Sequence, residues 1–85
     1  MPFEFDPAKD AANIAKHGLS LGEFEGFDAE PLVLVDDRYD YSEIRYQAFG
    51  RVNGEGRCLV YTEREGSFRL ISFRPAREKE MRRYE

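Results

Sequence analysis

Apolar residues recur along this chain in short alternating runs, with helical spacing before and after them. Phe3-Glu4-Phe5 alternates and predicts a short edge strand. Asp6-Pro7 has the form of an N-cap followed by proline at the first helical position, and Gly18 supplies the left-handed residue to close a helix ending near His17. Along that helix Ala8, Ala11, Ala12 and Ala15, with Ile14 near the edge, make a thin apolar stripe suited to close approach to a sheet. Lys9, Asn13, Lys16 and His17 share the opposite, polar face at spacings of three and four. Ser20 and Glu23 form a capping box inside a Leu19/Phe24 hydrophobic staple, which predicts a second short helix ending near Phe27-Asp28.

Four strands follow in the pattern, over 32–35, 43–52, 57–63 and 68–73. Asn53-Gly54 marks a tight hairpin between the second and third of these, and the 64–67 segment turns the chain again. Strand alternation places Leu70, Ser72 and Arg74 on one face of the last strand and Arg69, Ile71 and Phe73 on the other. On that parity Arg69 and Arg74 line one cleft only if a bulge or the strand end re-aims one of them. Pro75 suits the first position of a helix running to Tyr84, anchored by Met81 and Tyr84. The order predicts a single α+β domain over 1–85: a small antiparallel sheet with two N-terminal helices and one C-terminal helix.

Composition narrows the function classes. The chain is 41% hydrophobic, 14% aromatic and 35% charged, which suits a small globular core under a heavily solvated surface. One cysteine, Cys58, excludes an intramolecular disulfide, and its apolar surroundings predict a buried thiol. One Cys and one His make no zinc set, and the Asp36, Asp37 and Asp40 cluster matches no calcium loop, so no metal and no cofactor is expected. The opening residues have neither a basic start nor an apolar run, and no segment reaches membrane-spanning length; a cytoplasmic protein is expected, with no membrane partner. Residues 1–56 carry 5 basic and 12 acidic side chains, whereas residues 57–85 carry 8 basic and 5 acidic. That polarity permits a local anion site and a separate acidic surface for a basic partner, within a net charge of −4 that argues against generic nucleic-acid binding.

No Ser/His/Asp order, Gly-rich phosphate loop or HExxH is present. One His, many Arg, a few Lys and Tyr remain, an inventory that suits metal-free RNA cleavage. The ribose 2′-OH attacks its own phosphate, so the protein supplies only a base, cations for the developing charge and an acid for the departing 5′-oxygen. His17 is the natural acid/base. Lys9, Lys16, Arg74 and Arg64 are candidates to hold the phosphate, and Tyr84 to donate a hydrogen bond or stack on a base. Arg69, Arg74 and Arg77 form a possible guanidinium ledge around the strand-to-helix joint. Ordinary surface ion pairs explain such arginines as well, and a helix C-cap explains His17.

The order Phe3-Glu4-Phe5-Asp6-x-x-Lys9-x-x-x-Asn13-x-x-Lys16-His17-Gly18 resembles the opening of the BrnT family of bacterial toxins. Asp36-Asp37, Glu43 with Arg45, Gly50, Tyr61-Thr62, Arg69-x-Ile71-Ser72-x-Arg74-x-Ala76, Glu80 and Tyr84 extend the resemblance over nearly the whole chain. It implies a type II toxin–antitoxin ribonuclease with a RelE-like fold. It also implies a ribbon-helix-helix antitoxin that neutralises the toxin and, bound to it, represses their operon through operator DNA. Lys9, Asn13, Lys16, His17, Arg69, Arg74 and Tyr84 are among the matching polar positions. Phe73 departs from the small residue usual there, and the segment from Gly22 to Gly26 is glycine-rich for a helix. A non-catalytic module that holds an antitoxin and acts as co-repressor is the alternative reading.

Overall fold

The computed structural model describes residues 3–38 and 42–84. Tyr39, Asp40 and Tyr41, the distal half of the expected acidic loop, lie outside the described residues. The elements in chain order are β1 (Phe3–Glu4), α1 (Pro7–His17), a 3₁₀ turn (Leu21–Glu23), β2 (Leu32–Asp36), β3 (Arg45–Val52), β4 (Glu55–Arg64), β5 (Ser67–Pro75) and α2 (Glu78–Tyr84). They build one five-stranded sheet in the order β1-β5-β4-β3-β2.

The α+β class holds, with two corrections. The sheet is mixed, because β1 pairs parallel with β5 while the other pairs are antiparallel. The expected second helix is only the 3₁₀ turn, so one α-helix lies between β1 and β2 and one follows β5. Its capping box forms as anticipated, with Ser20 N–H donating to Glu23 and Gly22 N–H donating to Ser20 Oγ. The chain leaves the turn at once because Phe24 is extended and buried in the core against Phe73 and Phe27. Capping energy of about 1 kcal/mol does not outweigh burying a whole aromatic ring.

Both hairpins follow from local chemistry. Asn53 and Gly54 both take positive φ, as a two-residue primed turn requires, and the Asp28 carboxylate accepts both of their N–H groups. Glu65 and Gly66 repeat the conformation between β4 and β5. Pro75 ends β5 opposite Arg57 and does not open a helix; α2 starts three residues later. Ala76 N–H donates to Gly56 O, which extends the strand pairing past the proline and delays the helix.

A bulge in β5 decides what each face carries. Tyr61 stands opposite Leu70 but Val60 opposite Ser72, so Ile71 is an extra residue. Leu70 and Phe73, three apart, therefore share one core cluster with Leu21, Phe24, Ala48 and Leu59. Arg69 and Arg74, opposite Thr62 and Cys58, come to the other face together. That second face is covered at one end by α2, whose Met81 and Tyr84 pack with Phe49, Cys58, Val60 and Ile71. The simple alternation expected for 69–74 fails because of this one inserted residue.

Helix α1 sits with its faces reversed from expectation. Its N-cap Asp6, Pro7 and left-handed Gly18 are as anticipated. The alanine stripe and Ile14 are exposed, however, and Asn13 is the helix's buried residue. The reason is where the helix docks: beyond the two β1 pairings, α1 packs along β5, which there needs polar partners. Asn13 Nδ2 donates to Phe73 O at 2.8 Å, and Phe73 N–H donates to Asn13 Oδ1 at 3.1 Å. The carboxamide stands in for the peptide of a neighbouring strand. A second bond from Nδ2 to Leu19 O, and Leu21 N–H donating to Asp10, complete the attachment.

Candidate functional site

Sheet parity gathers Arg45, Arg51, Arg64, Arg69 and Arg74 on the face that α2 partly covers. Arg74, at the end of β5, is held by Glu80 of α2 in a two-pronged pair, Nη1 and Nη2 each 3.0 Å from a carboxylate oxygen, and Nη1 also donates to Pro75 O. Glu80 accepts the Arg77 N–H as well, so one carboxylate orients the strand end and the start of α2. These bonds draw the Glu80 carboxyl below its ordinary value, chiefly through Arg74, and keep the Arg74 guanidinium charged.

Asp36, at the end of β2, is buried and clamps Arg38 in the same two-pronged way, at 2.7 and 2.9 Å. The Glu80 bond outweighs burial and the more distant Arg38 charge, both of which oppose protonation of Arg74. Cys58 stands opposite Arg74 on β4, fully buried; burial pushes its thiol up to about 11, so it is a neutral, inert group there.

His17 closes α1 and is half-buried. Its pKa is lowered first by burial, then by Lys16 and then by Arg74. Arg74, the smallest of these causes, lies 57 residues away in sequence. Asn13 supplies the connection, one helical turn before His17 and bonded to the residue before Arg74.

The other expected site residues are more dispersed. Lys9 and Lys16 are exposed on α1, and Lys9 lies two turns back from His17, about 12 Å along the axis. Arg64 stands opposite Ser67, seven residues from Arg74 along β5 and hence roughly 20 Å away. It shares Glu43 with Arg45, at 3.2 and 3.0 Å. Arg69 faces Glu4 across 3.8 Å. Tyr84 stacks on Phe49 with ring centroids 4.3 Å apart, one turn past Glu80. Arg77 is exposed in the turn before α2. Sequence reasoning missed Arg38 because it lies among aspartates that read as turn formers; an arginine two residues after a strand-terminal Asp was the available signal.

A family model described as the ribonuclease toxin, BrnT, of a type II toxin–antitoxin system matches residues 5–80. The chain belongs to the BrnT family. No curated protein matches it closely. Membership makes the protein a ribonuclease toxin that works with an antitoxin partner. The BrnT match runs from Phe5 to Glu80, and so takes in the Asn13–Phe73 attachment, His17, Arg38 and the Arg74–Glu80 pair. Among the described residues no group of His, Cys, Asp and Glu has the arrangement of a metal site, and no helix is long and apolar enough to cross a membrane.

Proposed function

We propose that this BrnT toxin cleaves RNA on its arginine face without a metal, with the reaction centred between His17 and Arg74. The observation that carries the reading is the Asn13–Phe73 attachment, which joins the helix ending in His17 to the residue before Arg74; burial first, then Lys16 and Arg74, lower the His17 pKa. A histidine neutral at pH 7 takes the proton from the ribose 2′-OH as that oxygen attacks the adjacent phosphorus. The P–O5′ bond breaks, a 2′,3′-cyclic phosphate forms, and the 5′-oxygen collects a proton from an ammonium donor on α1, Lys16 or Lys9. Arg74 and Arg38, each already oriented by a carboxylate, stabilise the charge that develops on the phosphoryl oxygens. Asn13 holds α1 in place. Arg64, Arg69 and Arg77 act on flanking phosphates, and Tyr84 on a neighbouring base.

The partner in this reading is a ribbon-helix-helix antitoxin that carries the complex to operator DNA, and the fold is related to RelE. One observation favours the alternative, a non-catalytic co-repressor: Arg38, Arg45, Arg64, Arg69 and Arg74 each have a carboxylate neighbour, which lowers the positive potential available to RNA. The deciding experiment incubates purified toxin with an RNA oligonucleotide, with and without EDTA, beside the same oligonucleotide carrying a single 2′-deoxy at the cleaved position. Cleavage insensitive to EDTA, ending in a cyclic phosphate and abolished by the 2′-deoxy, is the expected result. Intact RNA together with normal growth of cells expressing the toxin alone would leave the co-repressor.

A further inference from the structure

The face of the sheet opposite the arginines carries a row of aromatic rings that no helix covers. Phe3, Phe68, Tyr61 and Tyr46 follow one another across β1, β5, β4 and β3, with centroid separations of 6.2, 5.3 and 5.4 Å. Beside this row lies a cleft of about 410 Å³ walled by Phe24, Phe27 and Leu59 and closed by the Ala29-Glu30-Pro31 segment. Past Tyr46 the same face continues onto β2, where Val33 and Val35 are 44% and 61% exposed. Two glutamates border the row, and Arg64 joins Glu63 in a second hollow at its Tyr46 end. Glu30 lines the cleft, and exposed Glu63 stands opposite Phe68, near enough to Tyr61 to help raise its pKa after burial and Tyr46.

We infer that this aromatic groove is the docking surface for the antitoxin, and that it receives an amphipathic segment with large apolar side chains on one side and Lys or Arg along its margin. The inference rests on the antitoxin partnership above but not on the catalytic scheme. The apolar cleft takes an apolar face of a helix or strand, and the acidic margin selects a basic one. The occupant is not RNA: the rings could stack on bases, but Glu30 and Glu63 repel the phosphates that must lie beside them, and Arg57, which sheet parity places on this side, is paired with Glu55. A second copy is disfavoured as well, because two-fold pairing of the groove with itself sets each acidic margin against another.

The test uses the full chain and the antitoxin encoded beside the toxin gene. Ala29→Asp and the double variant Glu30→Arg/Glu63→Arg change exposed positions, and each is checked for an unchanged melting temperature. Titration calorimetry is expected to show antitoxin binding weakened at least tenfold in both, with RNA cleavage equal to that of the parent chain. Lys79→Ala, exposed on α2 over the opposite face, is expected to bind antitoxin as the parent does. Groove variants that bind within twofold of the parent, or loss of binding in Lys79→Ala alone, overturn the assignment. Single-stranded RNA cross-linking to Tyr61 or Phe68 overturns it in favour of a base-stacking platform. Absence of any binding by the parent chain removes the partnership itself, an outcome distinct from misplaced docking.

Discussion

Asn13 and Phe73 are joined through both backbone polar groups of the strand residue, so a side-chain amide occupies the place of a strand. The pairing is 60 residues long in sequence and fully enclosed. It fixes the helix that ends in His17 to the residue next to Arg74.

Asn13→Ala leaves the Phe73 N–H and O without partners in a buried setting. Each orphaned group costs about 1–3 kcal/mol, so a loss of about 2–4 kcal/mol is expected by urea denaturation. Asn13→Asp is expected to be no milder at neutral pH, since a carboxylate cannot donate to Phe73 O or Leu19 O.

His17→Ala is expected to lower RNA cleavage by about 10²–10⁴-fold while leaving the melting temperature within a few degrees. A half-buried side chain at a helix end carries little packing, and Gly18 still closes the helix. Single-turnover kinetics on a fluorogenic RNA measure the loss.

The acid limb of the cleavage profile tests the influence of Arg74 on His17. A depressed pKa means that the imidazole stays neutral below pH 6.5, so activity through the base persists there and falls only at lower pH. Arg74→Ala removes one of the three causes of the depression, and the limb is expected to move up towards 6.5. Because His17 is the sole histidine, its NMR titration gives the same shift without a rate measurement. An unmoved resonance separates the two groups.

Stability near Glu80 is also lost in acid, through a carboxylate. Its folded pKa lies below the ordinary carboxylate value, so the contribution of the Arg74–Glu80 pair is complete above about pH 4.5 and is lost as pH falls through the folded pKa. Glu80→Gln is expected to flatten that part of the stability curve in thermal melts between pH 3 and 6.

Gly56→Ala is expected to cost about 1–3 kcal/mol, measured by thermal melts. A methyl group there would lie 2.6 Å from Met81 Cγ and 3.0 Å from Ala76 O, and the second obstacle is backbone. Met81 is the buried anchor of α2, so loss of the helix signal should accompany the change.

Much of this architecture was legible in the residues themselves. Asp6-Pro7 and Gly18 bound the first helix because capping is local, and Asn53-Gly54 turns the hairpin because both positions need positive φ. What escaped was set by distant partners. Nothing around Asn13 says that its amide meets Phe73, and without that contact the alanines are the obvious inner face of α1. Ile71 gives no local sign of being an inserted residue, yet it decides that Arg69 and Arg74 share a side. His17 and Arg74 come from two elements that Asn13 joins, an attachment the residue inventory does not show, and Arg64 and Tyr84, of the same chemical types, lie elsewhere on the arginine face.

The amide of Asn13 also has a bearing on how this sheet meets other chains. Beyond Arg69, β5 offers no vacant N–H at Phe73 to an incoming strand, so intermolecular growth by edge pairing is obstructed on that flank. β2 terminates the sheet at its other margin with Val33 and Val35 uncovered. Overexpressed without its partner, this toxin has one sticky border, and clumping should begin there.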